Sequence, residues 1–355
     1  MNENIIKLIN DICWWIPFRS KRNLLRNQLI SAIEDNMHVK IKNREIYQFI
    51  KKTIDLTTNC DDLEIKKRIF KENVCLVEIG IFSYCNRKCW FCPNSVIDRH
   101  SNNIELREDI FLKILNELKD INYSNGIRLH RYNEPLYDME LLIKRIKQVK
   151  QYLPNCKIQI NTNGDYLNLE YLINLKDAGI DSMLISYYYN GSDKNIEFNL
   201  PQIKSNMNKL MQKLKLDYHI DNESDNSIIM KSKYYNVDIA YSSINMDVLG
   251  CDRGGIIDVK SKIRTSPCFH PNMQVSIDYD GIYTLCCNIR SDIKEHENYL
   301  IGNVENNNIF ELFTNDKIIE FRKRLLRDNS KKFGACAYCS MGTDIDNNLW
   351  LGNRG

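Results

Sequence analysis

An α/β fold is what this sequence predicts: a mostly parallel sheet with covering helices, followed by a separate cysteine-rich segment. Three observations carry that expectation. Short apolar stretches alternate with amphipathic helical stretches between residues 73 and 250, the pattern of repeated strand–helix units. The polar and cysteine residues that stand out chemically fall just after the expected strands, where ligand sites lie in such folds. From residue 251 the rhythm breaks, and cysteines crowd a short region.

Residues 1–72 read as a helical N-terminal extension, with Leu24-Leu25, Leu29-Ile30, Ile46, Phe49 and Ile50 at helical spacing. Residues 73–250 form the α/β core. Its first strand runs from Val74 to Phe82 and ends at a cysteine cluster. A helix follows over 106–119, with Leu106, Ile110, Phe111, Ile114, Leu115 and Leu118 on one face. Ile127–Leu129 is the second strand, 138–150 a helix, and Ile158 and Ile160 lie on the third strand before Asn163-Gly164. Helix 169–178 stops at Gly179, Met183–Tyr187 is the fourth strand, and helix 202–213 comes next. Ile228–Lys231 and Val237–Ala240 read as the last strands, with a polar, loop-rich stretch between them. Residues 251–345 form a small C-terminal domain and 346–355 a tail. In that domain Gln274–Ile277 and Ile282–Cys286 flank Asp280-Gly281, a hairpin signal. Two short helices are expected near 308–313 and 316–326.

Composition narrows the class. A hydrophobic fraction of 43% and a charged fraction of 27% are ordinary for a folded protein. The net charge of +3 gives no reason to expect nucleic acid as a partner. The N-terminus lacks the apolar core of a secretory signal, and no apolar run reaches membrane-spanning length, so a cytoplasmic location is expected. The segment Cys13-Trp14-Trp15-Ile16-Pro17-Phe18, with Arg19, Lys21, Arg22 and Arg26 after it, reads as an element packed on the domain with a solvated basic flank. Peripheral contact with a bilayer surface is the alternative. The 13 cysteines form an odd total in a chain without a secretion signal, which favours metal or redox chemistry over a disulfide scaffold.

Three of these cysteines, Cys85, Cys89 and Cys92, lie within eight residues. Thiolates are soft ligands that suit iron–sulfur clusters or zinc. A structural zinc site wants four protein ligands, so zinc would need a remote fourth residue. Three thiolates instead leave one iron of a four-iron cluster open to an outside molecule.

The pattern Cys85, Cys89, Cys92, with aromatic Phe91 before the third cysteine, resembles the CxxxCxxC motif of the radical S-adenosylmethionine (SAM) superfamily. Tyr132-Asn133-Glu134-Pro135 resembles that family's GGEP segment without its paired glycines. Thr162-Asn163-Gly164 resembles the loop after the third strand, and Ser186 fits a position at the end of the fourth. The resemblance covers roughly residues 74–340 and implies a partial (β/α)6-type TIM barrel. It implies a [4Fe–4S] cluster on the three cysteines whose free iron binds SAM. Reductive cleavage of SAM would then give a 5′-deoxyadenosyl radical that takes a hydrogen atom from substrate. Phe91 would pack near the adenine, Asn133 and Glu134 hold the SAM amino group, and Asn163 and Ser186 complete the cofactor site. Each weaker position also has a plainer reading. Glu134 can cap a helix, Asn163-Gly164 is a common turn pair, and Ser186 can satisfy a strand end.

Cys268, Cys286, Cys336 and Cys339 are enough to fill every site of a second four-iron cluster. Four thiolates also suit structural zinc. The set resembles twitch, a shortened form of the SPASM auxiliary-cluster domain, and implies one auxiliary [4Fe–4S] cluster. Cys287 adjoins Cys286 but faces the other way if both lie on a strand. Cys286 is therefore the expected ligand, with Cys287 the alternative.

Cys251 fits neither set and precedes Asp252-Arg253. A thiol can return a hydrogen atom to a carbon radical, although a buried cysteine is also a small hydrophobe. Arg253 suits a planar contact with a carboxylate or phosphate, and Asp252 suits a base. Cys13, Cys60, Cys75 and Cys156 are expected to be non-ligands.

The leading functional expectation is a radical SAM oxidoreductase acting on a small polar substrate, such as a sugar or aminocyclitol. Twitch proteins include an enzyme that dehydrogenates an aminocyclitol. An epimerase or peptide-modifying enzyme with Cys251 as hydrogen donor is the alternative, and a zinc-binding module the non-enzymatic one. The expected partners are a small-molecule or peptide substrate and a small electron-donor protein of flavodoxin or ferredoxin type.

Overall fold

The computed structural model describes residues 60–264, 266–326 and 333–341, with 45, 47–58 and positions 9, 21, 23, 25, 26, 28 and 29. The chain folds as two compact units, residues 1–56 and 57–355. In the first, positions 47–56 are helical. The Trp14-Trp15 segment, Cys13 and the C-terminal tail lie outside the described residues. Among the described residues no helix is long and apolar enough to cross a membrane.

The second unit starts ahead of the boundary expected after residue 72. Its first helix, α1 (Leu63–Asn73), begins where the Asp62 side chain accepts from the Glu64 and Ile65 amides, satisfying donors that a helix start leaves open. α1 buries Ile69 and Phe70. The Phe70 ring meets Phe310 and Phe313 edge-on, each at a centroid separation of 5.1 Å. Burying such a ring contributes about 2–3 kcal/mol, so α1 is tied to the C-terminal region of the chain.

The expected strand–helix rhythm follows. Strands β1 (Leu76–Ile79), β2 (Gly126–Arg128), β3 (Lys157–Thr162) and β4 (Ser182–Ser186) alternate with helices α2 (Glu108–Asp120), α3 (Met139–Tyr152) and α4 (Leu169–Ala178). Helix α5 (Leu200–Lys213) follows β4. Each helix turns an apolar face to the sheet; α2 buries Ile110, Phe111, Ile114, Leu115 and Leu118.

Beyond α5 the two expected last strands form as β6 (Ser227–Tyr234) and β7 (Val237–Ile244), joined by a turn at Tyr235-Asn236, and a strand the sequence does not announce, β5 (Tyr218–Ser224), precedes them in an antiparallel meander. Every residue of β5 is exposed, so its sequence carries no inside–outside alternation to reveal it. Two short helices, α6 (Met246–Leu249) and α7 (His270–Met273), lead to the C-terminal hairpin, which forms as expected from β8 (Gln274–Ile277) and β9 (Ile282–Thr284). β9 ends at Thr284, however, so Cys286 and Cys287 lie beyond the strand. β10 (Leu300–Asn303), α8 (Ile309–Phe313) and α9 (Asp316–Leu325) complete the unit.

All ten strands join in one sheet, in the order β10-β9-β8-β1-β2-β3-β4-β7-β6-β5. The six from β8 to β7 are parallel neighbours. They give the partial barrel that the sequence predicts, and its sixth strand, β8, comes from the C-terminal region. The pairing sets Glu78 beside both Arg128 and Ser276, and Arg128 beside Gln159. Arg128 Nη1 lies 3.3 Å from Glu78 Oε1, and Ser276 Oγ donates to Glu78 Oε2 at 3.2 Å. Buried charges are tolerated only when paired in this way, so the ladder fixes the register in which β8 joins β1. Through that register the four-cysteine region and the three-cysteine loop share one rigid sheet.

Candidate active site and metal centres

The three-cysteine loop leaves the end of β1. Cys89 is buried, and Cys85 and Cys92 are partly so. A turn bonds the Cys92 amide to the Cys89 carbonyl at 2.9 Å. The Trp90 amide donates to the Gly191 carbonyl at 3.0 Å, pinning the loop to the segment after β4. A Cβ on Gly191 would stand 3.1 Å from Cys89 Sγ, so a side chain there would crowd the Cys89 thiol. Burial pushes the Cys85 and Cys89 thiols up to about 12, and pushes Cys92 up as well. Metal loading must therefore displace protons. Among the described residues no three Cys, His, Asp or Glu side chains converge on one point.

The loops after β2 and β3 brace this one. Glu134 accepts from the Thr162 hydroxyl at 2.5 Å, the Asn163 amide at 2.8 Å and the Leu136 amide at 3.1 Å. Burial still raises its carboxyl to about 7, against these three bonds. Asn163 Nδ2 donates to Asn86 Oδ1 at 2.8 Å, and its Oδ1 accepts from the Asp165 amide. Asp165 in turn accepts from Asn86 Nδ2 and Arg87 Nε, each at 2.7 Å, and pairs with Arg87 Nη2. Glu134 and Asn163 thus hold the loops together, and the Leu136 contact is the capping bond of the plainer reading. Asn133 differs. Its Oδ1 accepts from the Arg131 amide at 2.8 Å, while its Nδ2 is a buried donor without a hydrogen-bond partner. Such a group is costly unless a ligand engages it.

Phe91 is buried against Tyr188 at a ring separation of 5.0 Å, in an apolar patch with Met246 and Ile257. Ser186 ends β4 near Tyr188; burial pushes the Tyr188 phenol up to about 12, and the Ser186 side chain opposes that shift. Arg87, Asp165 and Tyr188 went unnoticed in the sequence because their partners are distant. Only the polar character of Asp165 just past Asn163-Gly164 hints at a role.

The second set comes from three separate segments. Cys268 precedes helix α7 (His270–Met273), the last helix before β8, Cys286 follows β9, and Cys336 and Cys339 lie in a turn near the C-terminus. All four line one small cavity, and Cys287 and Arg264 stand on its wall. The Cys268 amide bonds Leu325 O at 2.9 Å, and the Cys339 carbonyl accepts from Arg264 N at 3.0 Å. A Cβ on Gly334 would fall 1.8 Å from the Tyr299 hydroxyl, which itself accepts from the Ala335 amide at 2.9 Å. Burial lifts the Cys286 thiol well above its ordinary value, and Cys287, Cys336, Cys268 and Cys339 add to the lift. Cys287 has other neighbours: burial carries its thiol up to about 12, Glu78 and Cys251 add to the rise, and Arg131 and Arg253 oppose it.

Cys251, Asp252 and Arg253 form one more group. Cys251 Sγ donates to Asn288 Oδ1 at 3.1 Å, and Arg253 Nη1 donates to the same oxygen at 3.2 Å. Arg253 takes a φ of 50°, a conformation that costs on the order of 1–3 kcal/mol outside glycine. Its charge favours the thiolates of both Cys92 and Cys287. Asp252 is buried, and neither carboxylate oxygen has a hydrogen-bond partner of ordinary geometry. The Gly254 and Gly255 amides lie near enough to oppose the burial that raises its carboxyl. Asn288, the residue that ties Cys251 to Arg253, has no motif to mark it in sequence.

Comparison with known proteins bears on these centres. Residues 79–188 match the family model of the radical SAM superfamily. Residues 268–340 match that of the SPASM iron–sulfur cluster-binding domain. A curated relative is 24% identical over 269 residues, spanning 75% of this chain and 92% of its own. It is an S-adenosyl-L-methionine-dependent 2-deoxy-scyllo-inosamine dehydrogenase from Niallia circulans. Among solved structures, BtrN in complex with AdoMet and 2-DOIA is similar with a TM-score of 0.56 at 22% identity, over 76% of this chain and 93% of its own. An open conformation of BtrN gives a TM-score of 0.50 at 20% identity, over 76% and 92% of the two chains.

Proposed function

We propose that this chain, a radical SAM enzyme with a SPASM-type auxiliary iron–sulfur domain, oxidises a carbon centre of a small polar substrate of the aminocyclitol or sugar class. The radical SAM domain brings a SAM-binding [4Fe–4S] cluster, and the SPASM domain an auxiliary iron–sulfur cluster. The observation that carries the reading is the second cavity, where four thiols of the protein stand around one space. A cluster ligated fully by protein has no site left for substrate, which suits an electron acceptor. Similarity to a dehydrogenase along 92% of its length supports the same reaction class.

Dehydrogenation removes one hydrogen atom, one electron and one proton from the substrate. The bound cofactors supply the acceptors of the hydrogen atom and the electron. The chain's own residues do the rest. Cys85, Cys89 and Cys92 hold the SAM-binding cluster, and Cys268, Cys286, Cys336 and Cys339 hold an auxiliary [4Fe–4S] cluster. The unpaired Asn133 amide meets SAM, Glu134 and Asn163 fix the loops around it, and Phe91 and Ser186 complete the cofactor site. Arg253 holds a substrate oxygen, and Asp252 takes the proton. A small flavodoxin- or ferredoxin-type protein supplies the reducing electron.

A second reading, epimerisation, is favoured by one observation: the Cys251 thiol is buried and already oriented by Asn288. Turnover of 2-deoxy-scyllo-inosamine in deuterated water separates the two. A product two hydrogens lighter and free of carbon-bound solvent deuterium, formed equally by Cys251→Ala, supports dehydrogenation. Deuterium fixed at an inverted carbon, and lost in Cys251→Ala, sinks that reading.

A further inference from the structure

Tyr132 opens the segment that resembles GGEP, and it takes a φ of 55°, in the left-handed region that favours glycine. Its contacts explain how a tyrosine is held there. The Tyr132 carbonyl accepts from Asn94 Nδ2 at 2.8 Å, and Asn94 follows Cys92 by two positions. Its hydroxyl donates to the Cys287 carbonyl at 2.9 Å, directly beside Cys286. Arg290 lies over its ring, 4.6 Å from the centroid, and donates to Asn94 Oδ1 at 2.8 Å. Arg290 also binds Asp292, which pairs with Arg99 at 2.6 Å. One residue therefore reaches the end of the three-cysteine loop with its backbone and the Cys286-Cys287 turn with its side chain.

We propose that Tyr132 is a positioning residue that carries order from the auxiliary centre to the SAM site. With the Cys286-Cys287 turn fixed by its cluster, the phenol is anchored and the strained backbone stays in place. Asn133 and Glu134, next in the chain, are thereby held where SAM must meet them. Once that anchor is lost, the segment is free to leave the left-handed conformation. The proposal rests on the reading above, that both cysteine sets carry clusters. Such coupling is reciprocal, so SAM affinity depends on the auxiliary cluster.

The test is a double-mutant cycle on the full chain with clusters reconstituted, reading iron per chain and the Kd for radiolabelled SAM by equilibrium dialysis. Tyr132→Phe keeps the ring and removes only the hydroxyl bond. It is expected to weaken SAM binding about fivefold at unchanged iron content. Removing the auxiliary cluster with Cys336→Ala and Cys339→Ala is expected to weaken SAM binding by a similar factor, and combining the changes to add little further. Wild-type Kd in Tyr132→Phe, or factors that multiply in the combination, would overturn the proposal. Should Tyr132→Phe fail to load its clusters, the variant without the auxiliary cluster decides alone: a wild-type Kd for SAM there overturns the proposal. A wild-type chain that holds only about four irons overturns the two-cluster reading itself, and this proposal with it.

Discussion

The three-cysteine loop and the four-cysteine cavity hold the same kind of donor in opposite ways. Cys85, Cys89 and Cys92 share one loop, and much of what steadies it is a relay of side chains: Glu134 to Thr162 and the Asn163 amide, Asn163 to Asn86, Asp165 to Arg87. Cys268, Cys286, Cys336 and Cys339 come from three stretches, where the Cys268 amide bonds Leu325 O, the Cys339 carbonyl accepts from the Arg264 amide and the Ala335 amide donates to the Tyr299 hydroxyl. A centre on one loop keeps its shape when an outside molecule enters and leaves. A centre gathered from three stretches instead makes its metal a tie between them. The first therefore suits exchange of a bound molecule, and the second a permanent, closed cluster.

The largest effects should come from breaking each centre in turn. Cys89→Ala is expected to abolish SAM cleavage and to leave only about four of about eight irons per chain. Cys286→Ala should lose the same amount of iron but keep SAM cleavage without substrate oxidation. Iron analysis with a 5′-deoxyadenosine assay checks both, and equal loss of cleavage in the two variants would erase the contrast. Cys287→Ala sharpens it further. Because Cys287 sits among Arg131, Arg253, Glu78 and Cys251, this variant should retain its full iron content.

The smallest effect concerns pH and the relay around the first loop. The Glu134 carboxyl is raised to about 7 in the folded chain, chiefly by burial, from an ordinary value of 4.5. The folded state thus holds a proton that the unfolded state has already released. Stability from this group is present below the ordinary value and is lost as pH rises toward the folded one. Between about pH 5.5 and 7 the loss is roughly 2 kcal/mol. Urea unfolding of Glu134→Gln should show that much less decline over the same interval, whereas an unchanged slope would mean that the relay does not depend on this proton.

Much of the core was legible because its signals are local. The apolar spacing of 106–119 and the stop at Gly179 each report a neighbour within a few residues. The resemblance carried by Cys85, Cys89, Cys92 and Phe91 needed only a short stretch of chain. What stayed hidden depends on distance or exposure. β5 gave no alternation because water covers both of its faces. The pairing of β8 with β1 joins residues such as Glu78 and Ser276, 198 positions apart. The double reach of Tyr132 depends on Asn94 and Cys287, which no spacing rule connects to it.

That β8–β1 pairing also constrains the order of events as the chain is made. β1 and the three-cysteine loop leave the ribosome early, but one edge of β1 stays open until β8 arrives. An unpaired edge is a template for wrong partners, and contacts this far apart in sequence form slowly. Until β8 docks, Glu78 also lacks Ser276, one partner of its buried carboxylate. The protein is thus most exposed to aggregation, and its thiols to oxidation, in the interval before its last quarter is synthesised, so slower growth at reduced temperature should raise the yield of cluster-loaded enzyme.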